Sequence, residues 1–416
     1  MKKRLLLFCL YLICTFIGVS AQPRQMQRVE DPTGYKDTYK DYFTVGVALN
    51  IRNVASDEQM AVVKKNFNSV TAENAMKPGE IHPKEGVWNF AGADSIANWC
   101  RANGVKMRGH CLAWHSQFAN WMFTDKKGKP VSKEVFYERL RDHIHTVVNR
   151  YKDIVYAWDV LNEAISDDDG RKMPWMKEAP SPYRKTKMMD LCGEEFIVKV
   201  FQFAREADPN VELFYNDYNA CKPGKRDRIF NMVKKMKEMD APIDGIGMQG
   251  HYNIYFPSME DFDAAIEKYS KIVDKIHITE LDLRTNEEMG GQLQFSLGKA
   301  GEVPQYIKTL HEAQYANIFR VLRKHKDVVK NVTFWNLSDA DSWIGVNNYP
   351  LPFDKDVKPK KVYYTIKNFD PKMDNQVIKE DFRPSPLNQP GQQYPMVNSQ
   401  GYARFRVEAP DAKSVI

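Results

Sequence analysis

Residues 154–163 read IVYAWDVLNE, an apolar run that ends abruptly in an amide and a carboxylate. Residues 276–282, IHITELD, repeat this pattern later in the chain, with Glu280 emerging from a β-branched run. Short apolar runs of this composition are typical of buried strands. A carboxylate at the end of such a strand is poorly explained as surface decoration. Both runs are therefore predicted to be buried strands that end in a functional group.

Six further runs of this kind complete a repeating pattern of strands and helices. The eight predicted strands are residues 43–49, 68–72, 105–112, 154–161, 211–215, 245–250, 276–281 and 332–335. Apolar residues at helical spacing lie between them, at 135–148, 196–203, 225–239, 259–273 and 313–325. The alternation predicts a parallel sheet of the α/β class, and eight units in roughly 340 residues predict a closed (β/α)8 TIM barrel. An open doubly wound sheet is the alternative, but no glycine-rich phosphate loop follows the first strand.

Both ends of the chain are predicted to lie outside the barrel, which is assigned to residues 22–380. Residues 1–21 have a basic start, an apolar run and small residues before Ala21. This pattern is typical of a cleaved secretory signal peptide and is too short for an ordinary membrane span, so we expect a secreted protein, whether extracellular, periplasmic or at the cell surface.

Closely spaced prolines from Asp381 indicate a linker, and residues 401–407 alternate like the first strand of a new β domain. Residues 381–416 are therefore predicted to be a linker and the truncated start of a further domain of a longer protein.

Composition narrows the function classes. The 416 residues are 43% hydrophobic and 27% charged, as in a soluble globular protein. The net charge of +6 comes without a basic tract, so nucleic acid is not expected as a partner, and no second apolar run predicts a membrane span. Four cysteines beyond the signal match no zinc pattern, and a disulfide between two of them stays open. No cofactor or metal is implied, although a structural calcium also stays open. The four are Cys100, Cys111, Cys192 and Cys221.

Polar or aromatic residues end seven of the eight predicted strands. Because parallel barrel strands all end on one face, where barrel enzymes keep their catalytic groups, these side chains are expected to form one ring. They are Glu73, Asn74, His110, Trp114, Asn162, Glu163, Asn216, Asp217, Gln249, His251, Glu280, Asp282 and Trp335.

Two of these residues fit a specific chemistry. Glycoside hydrolysis by its commonest route needs one carboxyl group to protonate the leaving oxygen and a second to attack the sugar carbon or activate water. Glu163 and Glu280 end strands four and seven on the same predicted rim. Either glutamate alone would more often be a solvated surface residue, and it is their shared position that favours catalysis.

Neighbouring residues could support the pair. A histidine such as His251 could keep the Glu280 carboxylate ionised, and Asp282 could orient that histidine. A satisfied core histidine is the alternative interpretation of His251. Trp114, Trp335 and Trp343 could form apolar walls against sugar faces, although from spacing alone barrel packing is the favoured interpretation.

The motifs, taken in order, resemble those of the glycoside hydrolase family 10 endo-1,4-β-xylanases over residues 43–369. The resemblance implies retaining double displacement, with Glu163 as acid/base and Glu280 as nucleophile, their carboxyl groups roughly 5–5.5 Å apart. The segments that carry it are 68–78 (NSVTAENAMKP), 108–117 (RGHCLAWHSQ), 158–163 (WDVLNE), 247–251 (GMQGH) and 278–282 (ITELD).

The resemblance also implies the substrate and its binding residues. The expected ligands are xylan, arabinoxylan and xylo-oligosaccharides, with His251 and Asp282 supporting the nucleophile. Ala75 and Ile344 depart from the family's usual residues, which leaves the outer subsites open. The residues implied to line the subsites are Glu73, Asn74, Lys77, His110, Trp114, Gln117, Asn162, Gln249, His251, Trp335 and Trp343.

The tail has a separate resemblance. Residues 382–386 and 402–407 resemble the opening of the immunoglobulin-like domain that precedes some secreted carbohydrate esterases. This implies that the whole protein carries a C-terminal esterase module, although the chain contains no Gly-x-Ser-x-Gly motif of its own. The chain is expected to be a monomer.

Two other functions compete with xylan hydrolysis. One is a barrel cellulase or mannanase with the same pair of glutamates. Xylose lacks the hydroxymethyl arm of those sugars, and Trp335 and Trp343 could exclude that arm. The other is a non-catalytic sugar-binding barrel, which would need neither glutamate in a paired position.

Overall fold

The computed structural model describes residues 31–167, 176, 181–285, 288–289, 292–293, 303–374, 381–399 and 402–406. The predicted signal peptide, residues 1–21, lies outside the described residues, as do 407–416 of the tail. In the described part, no helix is long and apolar enough to cross a membrane.

Eight parallel strands form a closed barrel, which confirms the predicted (β/α)8 architecture. Each strand pairs with the next in sequence, and the last pairs with both the first and the seventh. In register, Val47 lies opposite Val70 on one side and Phe334 on the other. The strands are β1 Thr44–Leu49, β2 Ser69–Ala72, β3 Lys106–Trp114, β4 Val155–Asn162, β5 Glu212–Asp217, β6 Gly245–Met248, β7 Lys275–Arg284 and β8 Val329–Phe334.

One long helix follows most strands and covers the barrel. In the helix Lys133–Tyr151 the Ser132 side chain accepts the Val135 N–H, and apolar residues such as Leu140 and Ile144 recur at helical spacing and are buried. The eight helices are α1 Asp57–Asn66, α2 Ala91–Asn103, α3 Lys133–Tyr151, α4 Glu195–Ala207, α5 Pro223–Glu238, α6 Met259–Tyr269, α7 Gln305–Lys324 and α8 Lys361–Lys367. Shorter helices are Tyr35–Thr38, Ile51–Val54, Pro78–Ile81, Lys187–Cys192 and Pro371–Asp374, with 3-10 turns at Asn120–Phe123 and Val346–Asn348.

Strand boundaries differ from the prediction where pairing, not composition, sets them. Strand six stops at Met248 instead of Gly250, and the backbone leaves the extended conformation at Gly250, with a φ of +87°. The chain then resumes a short strand, His251–Asn253, which pairs with the end of β7 and sets His251 opposite Asp282. Trp335 follows β8 instead of ending it, although its N–H still donates to Leu281 O.

Two smaller features complete the description. The four cysteines are free and buried, so no disulfide joins them. The tail forms a small antiparallel sheet of Arg383–Pro384, Met396–Val397 and Ala403–Arg404. Its assignment to a further domain stays a prediction.

Candidate active site

Glu280 lies on β7 at the centre of the rim, and polar groups surround its carboxylate. Asn216 Nδ2 donates to Glu280 Oε1 at 2.8 Å, and His251 Nε2 lies 3.2 Å from Oε2. His110 Nδ1 is 4.0 Å from Oε1. Burial acts to raise the pKa of Glu280, but the charge of His110 and the hydrogen bond and charge of His251 outweigh it, so the pKa is lowered. The environment therefore favours an ionised carboxylate.

His251 is placed by the short strand beside β7. Its Nδ1 forms an ion pair with Asp282 Oδ2 at 3.0 Å, while its Nε2 faces Glu280. Burial acts to lower the pKa of His251, but Asp282 and then Glu280 raise it to about 10. The imidazole is therefore positively charged at neutral pH. Trp343 Nε1 donates to the same Asp282 oxygen at 2.7 Å, which fixes the carboxylate from the outer side.

Arg108 and Asp159 form a buried ion pair inside the barrel, and Asp159 also contacts His110. His110 Nδ1 is 3.0 Å from Asp159 Oδ2, and Arg108 forms a bidentate pair with the Asp159 carboxylate, with Nη2 2.5 Å from Oδ1. Burial acts to raise the pKa of Asp159, but Arg108 and His110 outweigh it and lower the pKa. Sequence reasoning had named His110 but not Asp159 or Arg108. Their signals were a charge within an apolar strand and a place in the motif segments 108–117 and 158–163, neither of which gave them a role.

Glu163 follows β4 and has a different environment. Its side chain is partly exposed, and its backbone adopts a φ of +58°. Trp114 Nε1 donates to Glu163 Oε2 at 2.9 Å, and Gln249 Nε2 donates to Oε1 at 2.9 Å. Two neutral donors thus fix both oxygens, and no cation pairs with this carboxyl group in the described part of the chain.

Side-chain amides connect the two glutamates. Asn216 Nδ2 lies 2.9 Å from the Asn162 side-chain amide as well as contacting Glu280, and Gln249 Nε2 is 3.3 Å from the same amide. Thr279 Oγ1 donates to Asn216 Oδ1 at 2.6 Å, which turns the Asn216 NH2 group toward Glu280. The role of Thr279 was missed, because a threonine in a buried strand is read as an ordinary strand former.

Residues that follow β2, together with residues at and after the end of β3, form one wall of the rim. Lys77 Nζ donates to Asn74 Oδ1 at 2.7 Å and lies 5.1 Å from the ring centre of Trp114. Gln117 O accepts the Gly79 N–H at 2.8 Å, which joins the loop after β3 to this group. Burial raises the pKa of Glu73. The wall is therefore continuous with Glu163 through the Trp114 indole.

The two other tryptophans differ in exposure. Trp335 is 5% exposed and packs edge to face against His110, with ring centres 5.3 Å apart, which suits the packing interpretation. Trp343 is 52% exposed and lies 5.0 Å from His251 and 5.0 Å from the Arg284 guanidinium. Trp343 thus offers an open apolar face at the rim.

A possible metal-binding group among the described residues lies away from this rim. Asp263, Glu267 and His325 bring one ligand atom each within 4.8 Å of one another on the outer helices. Lys324 Nζ, however, lies 2.7 Å from Asp263 Oδ2, and His325 Nε2 lies 2.6 Å from Oδ1. The Lys324 ammonium group therefore already neutralises the aspartate, and the group does not suggest a metal site.

The chain is similar to known proteins over most of its length. The model of glycosyl hydrolase family 10 matches residues 34–369. An endo-1,4-beta-xylanase/feruloyl esterase of Xylanibacter ruminicola is 66% identical over the whole chain, which spans 57% of that protein's length. Endo-1,4-beta-xylanase B of Paenibacillus barcinonensis is 40% identical over 79% of this chain and 96% of its own. The solved structure of a psychrophilic family 10 endo-beta-1,4-xylanase is 55% identical, with a TM-score of 0.76 over 81% of this chain and all of that one.

Proposed function

The chain belongs to glycosyl hydrolase family 10, and on that premise we propose that it cleaves internal β-1,4-xylosidic bonds of xylan with retention of anomeric configuration. The observation that carries the proposal is the contrast between the two rim glutamates. Glu280 is buried beside His110 and the charged His251, which lower its pKa, whereas Glu163 is partly exposed and bound by neutral donors. One carboxyl group is thus suited to attack as an anion, and the other to exchange a proton.

In the first step Glu280 is the nucleophile and Glu163 the acid. A Glu280 oxygen attacks the anomeric carbon while Glu163 gives its proton to the glycosidic oxygen, so the C–O bond breaks and the shortened chain leaves with that proton. A covalent ester between the sugar and Glu280 remains. The positive charge of His251 favours the anionic form of Glu280 before attack, and Asn216 holds the oxygen Oε1.

In the second step Glu163, now ionised, acts as a base. It takes a proton from water, and the resulting hydroxide adds to the anomeric carbon as the Glu280 ester breaks. Both glutamates return to their starting states. Trp114 and Gln249 hold the Glu163 carboxyl group through both steps, because each donates to a different oxygen.

The proposed substrate class is supported by the family match and is consistent with the walls of the rim. The partners proposed are xylan, arabinoxylan and shorter xylo-oligosaccharides, bound between the wall of Lys77 and Asn74 and the face of Trp343. We propose that the exposed Trp343, together with the buried Trp335, excludes a hydroxymethyl arm, which favours xylose over glucose or mannose. A cellulase or mannanase is the nearest alternative.

The test measures reducing ends and viscosity with arabinoxylan, β-glucan and mannan in parallel. Rapid loss of viscosity on arabinoxylan alone is expected, and β-xylose ends should appear first by proton NMR. Glu280→Ala should abolish turnover yet keep binding to insoluble xylan. Turnover of glucan or mannan without xylan would overturn the substrate, initial α-anomer would overturn retention, and an active Glu280→Ala variant would overturn the nucleophile.

Three further proposals concern secretion, oligomeric state and the part of the protein beyond this barrel. We propose that residues 1–21 direct secretion, which amino-terminal sequencing of secreted protein would test by finding a start after Ala21, and that the chain acts as a monomer. The similarity to a xylanase/feruloyl esterase over the whole chain supports a C-terminal esterase module in the whole protein. Release of ferulate from arabinoxylan by the whole protein, but not by residues 22–380, is the expected result.

A further inference from the structure

The backbone directly after Glu163, the acid/base candidate, is hydrogen-bonded to the phenol oxygen of Tyr215. Glu163 has a φ of +58°, in the left-handed region that non-glycine residues rarely occupy. The next two peptide N–H groups, of Ala164 and Ile165, both donate to Tyr215 Oη, at 3.0 and 3.1 Å. These N–H groups are buried where the chain leaves β4. The phenol oxygen therefore fixes the direction in which the chain departs from Glu163.

The Tyr215 hydroxyl is in turn held by a hydrogen bond to Asp217. Tyr215 lies in β5, fully buried, and its hydroxyl donates to Asp217 Oδ2. Since the only phenol proton is used in that bond, both backbone N–H groups meet oxygen lone pairs. Asp217 Oδ1 forms an ion pair with Lys225 Nζ at 2.8 Å, and the two side chains are almost completely buried. The aspartate cannot turn away without breaking a buried ion pair.

Other contacts fix the remaining polar groups of the Glu163 backbone. Its N–H donates to Asn216 O at 2.9 Å, and its carbonyl accepts from Arg184 Nε at 3.1 Å. A small change in the backbone after Glu163 would swing the carboxyl group, and proton transfer requires hydrogen-bond reach of the leaving oxygen. We propose that Tyr215 is a positioning residue that holds the Glu163 carboxyl group where it can protonate the leaving sugar. This inference rests on the acid role of Glu163 given above.

The simpler alternative is that Tyr215 only satisfies two buried N–H groups and so stabilises the fold. The leaving group separates the two explanations. A sugar hydroxyl must be protonated as it leaves, whereas 2,4-dinitrophenolate leaves without protonation. A misplaced acid therefore slows cleavage of a xylo-oligosaccharide and spares a dinitrophenyl xylobioside, whereas a loosened fold impairs both.

The experiment compares kcat/KM for xylotetraose and for 2,4-dinitrophenyl β-xylobioside. Tyr215→Phe should lower the value for xylotetraose on the order of 10- to 10²-fold, within the contribution of a positioned general acid, and change the dinitrophenyl value less than about twofold. Tyr269→Phe is the matched control, because that buried hydroxyl also bonds backbone, at Ala220 O 2.7 Å away. It should change neither value. Glu163→Ala provides the reference for complete loss of the acid.

Each outcome decides the inference. Equal losses on both substrates with Tyr215→Phe, or no loss on either, overturn it. If Glu163→Ala lowers kcat/KM for xylotetraose more than for the dinitrophenyl substrate but Tyr215→Phe does not, the positioning role alone is overturned. If Glu163→Ala affects both substrates equally, the acid assignment is overturned, and with it the inference. If Tyr215→Phe does not fold, Asp217→Asn is used instead, because it loosens the same phenol. It should show a smaller difference in loss of kcat/KM between the two substrates. Equal losses there also overturn the inference.

Discussion

The rim and the outer layer of this barrel both contain histidines held away from solvent, and the two places favour opposite charge states. In the outer layer, His82 stacks on Trp88 with ring centres 3.6 Å apart and lies 5.6 Å from His143 of α3. Burial lowers the pKa of His82 to about 4 and of His143 to about 3. At the rim, burial also acts to lower the pKa of His251, but Asp282 and Glu280 raise it to about 10. The difference teaches that carboxylate partners, and not burial, decide which histidines are charged.

The largest expected effect comes from removing the charged histidine at the rim. His251→Phe takes from Glu280 both a hydrogen bond and a positive charge. Loss of one preorganised donor typically costs on the order of 10²–10³-fold, and we expect a fall of that size in kcat/KM on xylan. The pKa of Glu280 should rise without this charge, so the acid limb of the pH profile should move to higher pH. An unchanged acid limb would contradict the comparison, and His143→Phe is the control that should leave that limb in place.

The next effect concerns stability and the neutral histidine. The folded pKa of His143, about 3, lies below its ordinary 6.5, so its contribution is fully present above pH 6.5 and is lost as pH falls toward 3. His143→Phe removes this loss. The difference in unfolding free energy between pH 7 and pH 4.5 should therefore shrink by about 2 kcal/mol. Urea denaturation at the two pH values measures it, and an identical pH dependence in both proteins would show that His143 does not stay neutral.

A smaller effect is expected from the partner of the rim histidine. Asp282→Asn removes the carboxylate that contributes most to the raised pKa of His251, but leaves the His251 contact with Glu280. We expect kcat/KM to fall about tenfold, equivalent to roughly 1.4 kcal/mol. The imidazole should titrate at a lower pH by NMR than in the unsubstituted protein. A His251 titration that does not move would mean that Glu280 alone holds the charge.

The smallest effect should come from a solvent-exposed pair with similar chemistry. His145 Nε2 lies 3.4 Å from Glu206 Oε2, which also accepts from Arg141 Nε at 2.8 Å, and the His145 and Glu206 side chains are 26% and 45% exposed. Glu206→Gln should change the unfolding free energy by less than about 0.5 kcal/mol, as for most surface ion pairs. Thermal or urea unfolding measures it. A cost comparable to that of His143→Phe in acid would show that the kind of pair matters more than its burial.

Much of the fold and part of the site could be predicted before any coordinates. The runs at 154–163 and 276–282 predicted β4 and β7, because a strand buried on both faces is largely apolar. β7 nevertheless continues past Glu280 to Arg284, with Glu280 itself buried, so this polar residue marked the site and not the end of the strand. The same reasoning selected Glu163 and Glu280. The prediction was less accurate where an end depends on pairing, as at Gly250, since composition does not report which hydrogen bonds a neighbouring strand offers.

By itself, then, the sequence determined the order of elements, the class of barrel and the two carboxylates, all of which follow from local hydrophobicity and residue type. Only the tertiary structure decided what those carboxylates contact. The Thr279 hydroxyl turns the Asn216 amide, Arg108 fixes Asp159 beneath His110, and Tyr215 holds the chain after Glu163. These partners are far apart in sequence or hidden in strand patterns. Barrel closure and strand register bring them together, and hydrogen bonds act only over such short distances.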